Sequence, residues 1–149
     1  MSRRALLSVL AVCLVVFLAV SFLLARWLST ESRERNAVYA LLQAQARGDA
    51  AAMLRRVPGC SRDAACAREV RENARRLRRP GEVKILAYDS TTAYAIGAKS
   101  GPTRVAWTVV DRGLPVVQCV DVRRGGTVLA GRVVTLRRLS RPIGRQSAC

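Results

Sequence analysis

Thr103-Arg-Val-Ala-Trp-Thr-Val-Val-Asp111 alternates, with Val105, Trp107 and Val109 on one side and Arg104, Ala106 and Thr108 on the other. Successive residues of a strand point to opposite faces, so this stretch reads as a half-buried β-strand. Similar runs flank it: Val83–Tyr88, Thr91–Gly97, Pro115–Arg123 and Thr127–Leu139, all rich in Val, Thr, Ile and aromatics. The breaks between them are short and turn-forming: Asp89-Ser90, Lys99-Ser100-Gly101-Pro102, Arg112-Gly113 and Arg124-Gly125-Gly126. Links of this length join antiparallel neighbours, which predicts a curved five-stranded antiparallel meander.

Upstream of Val83 the apolar period changes to that of helices. Glu31–Arg47 carries Ala37, Val38, Leu41, Leu42 and Ala44 as a stripe, ended by Gly48. Asp49 is placed to cap a short helix, Ala50–Arg56. A third helix is expected over Arg62–Arg78, capped by Ser61 and stopped by Arg79-Pro80-Gly81. Helices followed by strands predict an α+β domain, about three helices on one sheet face, over residues 28–139. Residues 140–149 read as a polar, irregular tail.

Before the domain, residues 5–25 hold 19 apolar side chains, two serines and no charge. Such a helix rises about 30 Å and matches a bilayer's hydrocarbon core. Trp27 follows at interface level, giving an expected transmembrane anchor over residues 5–27 behind a basic tail, residues 1–4. No Pro or Gly separates the anchor from the first helix of the domain, so the two can run on as one. A cleaved signal peptide is the rival reading; Arg3-Arg4 suits its basic start, but 21 residues exceed the usual apolar region. Arg3 and Arg4 on one flank and Arg26, Arg33 and Arg35 on the other give no clear charge bias. The short amino terminus favours N-terminus in, with the domain outside a cytoplasmic membrane.

The cysteines point the same way. Cys13 lies in the anchor, and the other four, Cys60, Cys66, Cys119 and Cys149, allow two disulfides in an oxidising compartment. Of three connectivities, Cys60–Cys66 and Cys119–Cys149 is favoured, because Pro58-Gly59 puts Cys60 in a loop facing the start of the third helix. Closing these loops would contribute about 2 and about 4 kcal/mol. Four reduced cysteines in a cytosolic domain remain the alternative. With no histidine and no Cys-x-x-Cys, neither a metal nor any other cofactor is expected.

The order of elements, together with Ala44-Gln-Ala-Arg-Gly48-Asp49-Ala-Ala-Ala-Met53-Leu54, resembles the nuclear transport factor 2-like (cystatin-like, SnoaL-like) superfamily. The resemblance spans about residues 31–139 and implies a cone-shaped pocket between helices and sheet. It also implies a place in the bacterial envelope, where membrane-anchored domains of this fold occur as assembly subunits. The use of 24 arginines against two lysines fits a bacterial genome of high GC content.

Two kinds of chemistry compete for the domain. Pocket candidates are Asp121, Tyr94, Trp107 and Gln118; a desolvated Asp121 near a tyrosine could abstract a proton. Without histidine, Ser-His-Asp and Cys-His catalysis and an imidazole switch are excluded, and no catalytic motif of the resembled superfamily is present. Outside the apolar residues 5–25 and Arg3-Arg4 there are 24 basic and 10 acidic side chains. Arg71, Arg75, Arg76, Arg78, Arg79, Arg137 and Arg138 form the expected surface for an anionic partner, with Arg71, Arg75 and Arg78 on one helix face. A solvated face in an arginine-rich chain is the plainer alternative. Seven aromatic residues, two of them within the apolar residues 5–25, leave little for base stacking, so nucleic acid is not an expected partner. The expectation is a non-enzymatic binding or scaffolding module with protein partners in the envelope and an anionic lipid or wall polymer at its arginines. A small-molecule or enzymatic pocket is the alternative.

Overall fold

The computed structural model describes residues 3–92, 98–110, 112–127 and 131–149. Its first element is a single helix, α1 (Arg3–Arg47), uninterrupted because no Pro or Gly falls within it. Its apolar part, Leu6–Ala25, has a mean hydropathy of 3.0 and no buried residue; it is long and apolar enough to cross a membrane.

Gly48, at φ 76°, ends α1: its N–H reaches Gln45 O at 2.9 Å, and the Asp49 N–H reaches Ala44 O at 2.9 Å. This paired return satisfies the last helical carbonyls, and the positive φ suits glycine. Asp49 then caps α2 (Ala50–Arg56), accepting from the Ala52 N–H at 2.8 Å. Pro58–Ser61 follows as a 3-10 turn. The expected Ser61 cap is displaced by that turn, in which the Ser61 hydroxyl donates back to Pro58 O at 2.7 Å. Asp63 caps α3 (Ala64–Arg76) instead, accepting from Ala65 and Cys66 N–H groups at 2.9 and 3.2 Å.

The sheet has four strands among the described residues, not the expected five: β1 (Val83–Ser90), β2 (Lys99–Val109), β3 (Arg112–Thr127) and β4 (Gly131–Leu139). It is an antiparallel meander in the order β1-β2-β3-β4. The expected turn at Asp89-Ser90 is strand, because these residues pair with Arg104 and Thr103. Likewise Lys99–Pro102, expected as a turn, opens β2 and pairs with β3 from Arg124 to Asp121. Of the strand expected over Thr91–Gly97, Thr91 and Thr92 form a turn, and residues 93–97 lie outside the described set. Thr91 folds back so that its hydroxyl donates to Pro102 O at 2.8 Å, and its side chain occupies the space a Cβ at Gly101 would take. Arg112-Gly113, also expected as a turn, opens β3, with Arg112 paired to Val109, and Arg124-Gly125-Gly126 lies within β3 and pairs with Val134, Val133 and Arg132.

One sheet face and the helices make the core. Val105, Trp107 and Val109 of β2 and Val116, Val120 and Val122 of β3 are buried against Val38, Leu41 and Leu42 of α1, Met53 of α2 and Val70 of α3. Contacts along α1 fix the strand direction. Gln43 of α1 bonds the start of β1, to Gly81 O at 2.9 Å and from the Val83 N–H at 3.1 Å. Glu34, nearer the apolar stretch, meets Tyr88 and Ser90 at the other end of β1. The strands therefore lie along α1, with the Ser90, Thr103 and Arg124 ends towards Leu6–Ala25 and the Val83, Val109 and Val116 ends away from it.

Candidate functional site

The pocket residues expected from sequence do not converge. Trp107 and Gln118 meet in the core, both without solvent exposure. The indole N–H of Trp107 donates to Gln118 Oε1 at 2.9 Å, and the Gln45 amide donates to the same oxygen at 2.9 Å. The Gln118 amide donates to Ser140 O at 2.8 Å, and Asn73 donates to that carbonyl at 3.1 Å. This network links α1, α3, both central strands and the start of the tail, and a ligand would have to break it to reach either side chain. Asp121 is on the opposite sheet face, half-buried. It lines an open groove of about 520 Å³ with Asp63, Arg123, Arg137 and Arg138. Tyr94 lies outside the described residues.

A second polar cluster was not foreseen. Glu34 of α1 is fully buried, and its carboxylate accepts from five side chains of three strands and their connection. Tyr88, Ser90 and Thr103 donate to Oε1 at 2.6, 2.9 and 3.0 Å. Thr92 and the Arg124 Nε donate to Oε2 at 3.2 and 2.5 Å. Arg124 itself is only 2 % exposed. The guanidinium of Arg35, one residue along α1, lies 5.5 Å from the centre of the Tyr88 ring.

Burial alone would raise the Glu34 pKa. The bonds from Tyr88, Arg124 and Ser90, together with the charge of Arg124, outweigh it and hold the carboxyl below its ordinary value. Burial and the neighbouring carboxylate push the Tyr88 phenol far up, so it stays protonated and donates. A carboxylate has about four lone-pair sites, so five donors leave none to take a proton. Closed to solvent and held ionised, Glu34 is a poor general base and a strong tie between α1 and the sheet. Its signal in the sequence is position: Glu34, Val38, Leu41 and Gln45 share one helix face, and Arg124 continues the inward alternation of Val116, Gln118, Val120 and Val122.

The arginines divide into separate places. On α3, Arg71 and Arg75 line a shallow depression of about 350 Å³ with Arg68 and Glu72. Arg78 packs its stem against Gly48. Among the described residues no carboxylate lies within ion-pair distance of Arg71, Arg75 or Arg78. Arg76 pairs with Glu72 at 2.7 Å, and Arg79 donates to Leu114 O at 2.9 Å. Arg137 and Arg138 lie elsewhere, on β4 beside the start of α3, with Arg138 3.9 Å from Asp63.

Both favoured disulfides are present: Cys60–Cys66 joins the 3-10 turn to α3, and Cys119–Cys149 ties the chain end to β3, with Cα separations of 4.9 and 5.8 Å. The tail so tied is not loose. Ile143 bridges Val117, and Arg104, the β2 neighbour of Cys119, donates to Ser147 O at 3.1 Å and to Arg145 O. No protein-family profile matches the chain, and neither a characterised protein nor a solved structure matches it.

Proposed function

We propose that the chain is a single-pass envelope protein, anchored by Leu6–Ala25 with its amino terminus inside, whose outer α+β domain is a non-enzymatic binding or scaffolding module of a membrane complex. The observation that carries this reading is the unbroken α1, apolar and unburied over its first half and the core helix of the domain over its second. Two disulfides suit the oxidising side of that membrane. The closed networks around Gln118 and Glu34 favour a structural interior over a reacting one. The resemblance to the nuclear transport factor 2-like superfamily is supported by helices preceding a meander and by the Gly48-Asp49 break.

The partner surface is the exposed α3 face of Arg71 and Arg75, with exposed Arg78 past the helix end rather than on the helix face expected for it. The Arg79 N–H bonds Ala46 O at 2.8 Å, so the end of α3 is level with Ala46, 21 residues past Ala25. At 1.5 Å per residue that is about 31 Å beyond the apolar stretch, about four Debye lengths at physiological salt. The face therefore suits an acidic protein or wall polymer standing off the membrane. The test is binding of a soluble polyanion, polyphosphate, by the full chain in neutral phosphatidylcholine vesicles. Binding should fall with added salt and drop at least about tenfold in R71Q/R75Q/R78Q. Absent or salt-independent binding would make these arginines a solvated face only.

A further inference from the structure

The opposite end of the domain faces the bilayer, and its chemistry is not that of the α3 face. Glu34 is nine residues past Ala25, so the clasp to Arg124 fixes that point of β3 about 13 Å above the hydrocarbon edge. Beyond Arg124, β3 runs three more residues to Thr127, which pairs with Gly131 of β4. At about 3.3 Å per residue this carries the end of β3 back some 10 Å, to the level of a headgroup layer about 6 Å deep. The descending part is small, Gly125, Gly126 and Gly131, and nothing lies within 4 Å of where a Cβ at Gly125 would stand. Val133, opposite Gly125, is 63 % exposed.

The cations at this level are Arg33 and Arg35 on α1, Lys99, which pairs with Arg124, and Arg123 next to it; all four are exposed. The exposed acids near them are Glu31, Asp89, which is 3.5 Å from Arg104, and Asp63, which shares a groove with Arg123 and half-buried Asp121 and lies 3.9 Å from Arg138. Long side chains starting about 12 to 17 Å above the hydrocarbon bring their charges within about one Debye length of lipid phosphates.

We infer that this end of the sheet is a docking surface for the anionic phospholipid headgroups of the anchoring bilayer, holding the domain upright on its own membrane. The inference rests on reading Leu6–Ala25 as the anchor. Charge complementarity and the short fixed distance from the span select the occupant, and the buried Glu34–Arg124 tie prevents the sheet from swinging away. The strand ends at Gly125, Gly126 and Gly131 meet the headgroups, Arg33 and Arg35 extend from α1, and Lys99 and Arg123 continue the positive field along the sheet.

The test uses the full chain with Cys13→Ala, spin-labelled through Val133→Cys or, at the far turn, Val110→Cys. Vesicles contain phosphatidylcholine with or without phosphatidylglycerol, plus a nickel-chelating headgroup lipid as relaxation agent. The expected result is relaxation several-fold stronger at position 133 than at 110 when phosphatidylglycerol is present. It should fall to the neutral-vesicle value in R33Q/R35Q/K99Q/R123Q, with unchanged circular dichroism. Equal relaxation at the two positions, or close approach independent of phosphatidylglycerol, overturns the inference. Protein that fails to float with the vesicles overturns the anchor reading beneath it, whereas floated protein with a distant label overturns the docking surface alone.

Discussion

Glu34 and Arg124 are 90 positions apart and meet at 2.5 Å with almost no access to solvent. The carboxylate belongs to the helix that continues from the apolar stretch, and the guanidinium belongs to a central strand. One buried ion pair therefore couples the helix that continues the apolar stretch to the sheet. Buried pairs give little net stability over an apolar replacement, yet removing one partner is expensive.

Glu34→Ala leaves Arg124 buried opposite a void and strips Tyr88, Ser90, Thr92 and Thr103 of their acceptor. The expected loss is about 3–5 kcal/mol in denaturant unfolding followed by circular dichroism. A loss under about 1 kcal/mol would show that water or rearrangement replaces the carboxylate.

Because the Glu34 pKa is lowered in the folded state, the unfolded chain takes up its proton first as pH falls. Its contribution is fully present above the unfolded value of about 4.3 and is lost as pH drops through the folded value. Stability measured from pH 6 downwards should therefore fall below about pH 4. In Glu34→Gln that part of the slope should be missing. An unchanged acid slope in the variant would assign it to other carboxylates.

Trp107→Phe removes one donor but leaves Gln118 Oε1 bound by Gln45, so its expected cost is about 1 kcal/mol. Gln118→Leu orphans the buried indole N–H and loosens Ser140, and should cost about 1–3 kcal/mol or more. Thermal unfolding of the two variants gives the order; the reverse order would contradict the network.

Peptide mapping without reductant should recover Cys60 linked to Cys66 and Cys119 linked to Cys149. Cys149→Ser should free residues 140–149 to protease while the helices persist, at a cost of up to about 4 kcal/mol. Equal protection of the tail in the variant would show that Arg104 and Ile143 suffice to hold it.

Local patterns carried much of this architecture. The alternation of Val105, Trp107 and Val109, the stop at Gly48 and the cap at Asp49 depend on neighbours in the chain and were legible there. The strand count was not. Asp89-Ser90 and Arg124-Gly125-Gly126 are ordinary turn formers, but cross-strand pairing with Arg104, Thr103, Val134 and Val133 keeps them extended. The cap passed from Ser61 to Asp63 because Pro58-Gly59-Cys60-Ser61 closes a 3-10 turn of its own. Glu34 does not stand out in the sequence because its donors come from residues 54 to 90 positions away. Only its place on the face of Val38 and Leu41 hinted at burial.

The account stands on the side of the membrane that holds the domain. Protease added to intact spheroplasts, with the protein followed by an antibody to the domain, decides it. The account predicts that the domain disappears while a cytoplasmic control survives; a domain protected until the membrane is permeabilised would contradict it.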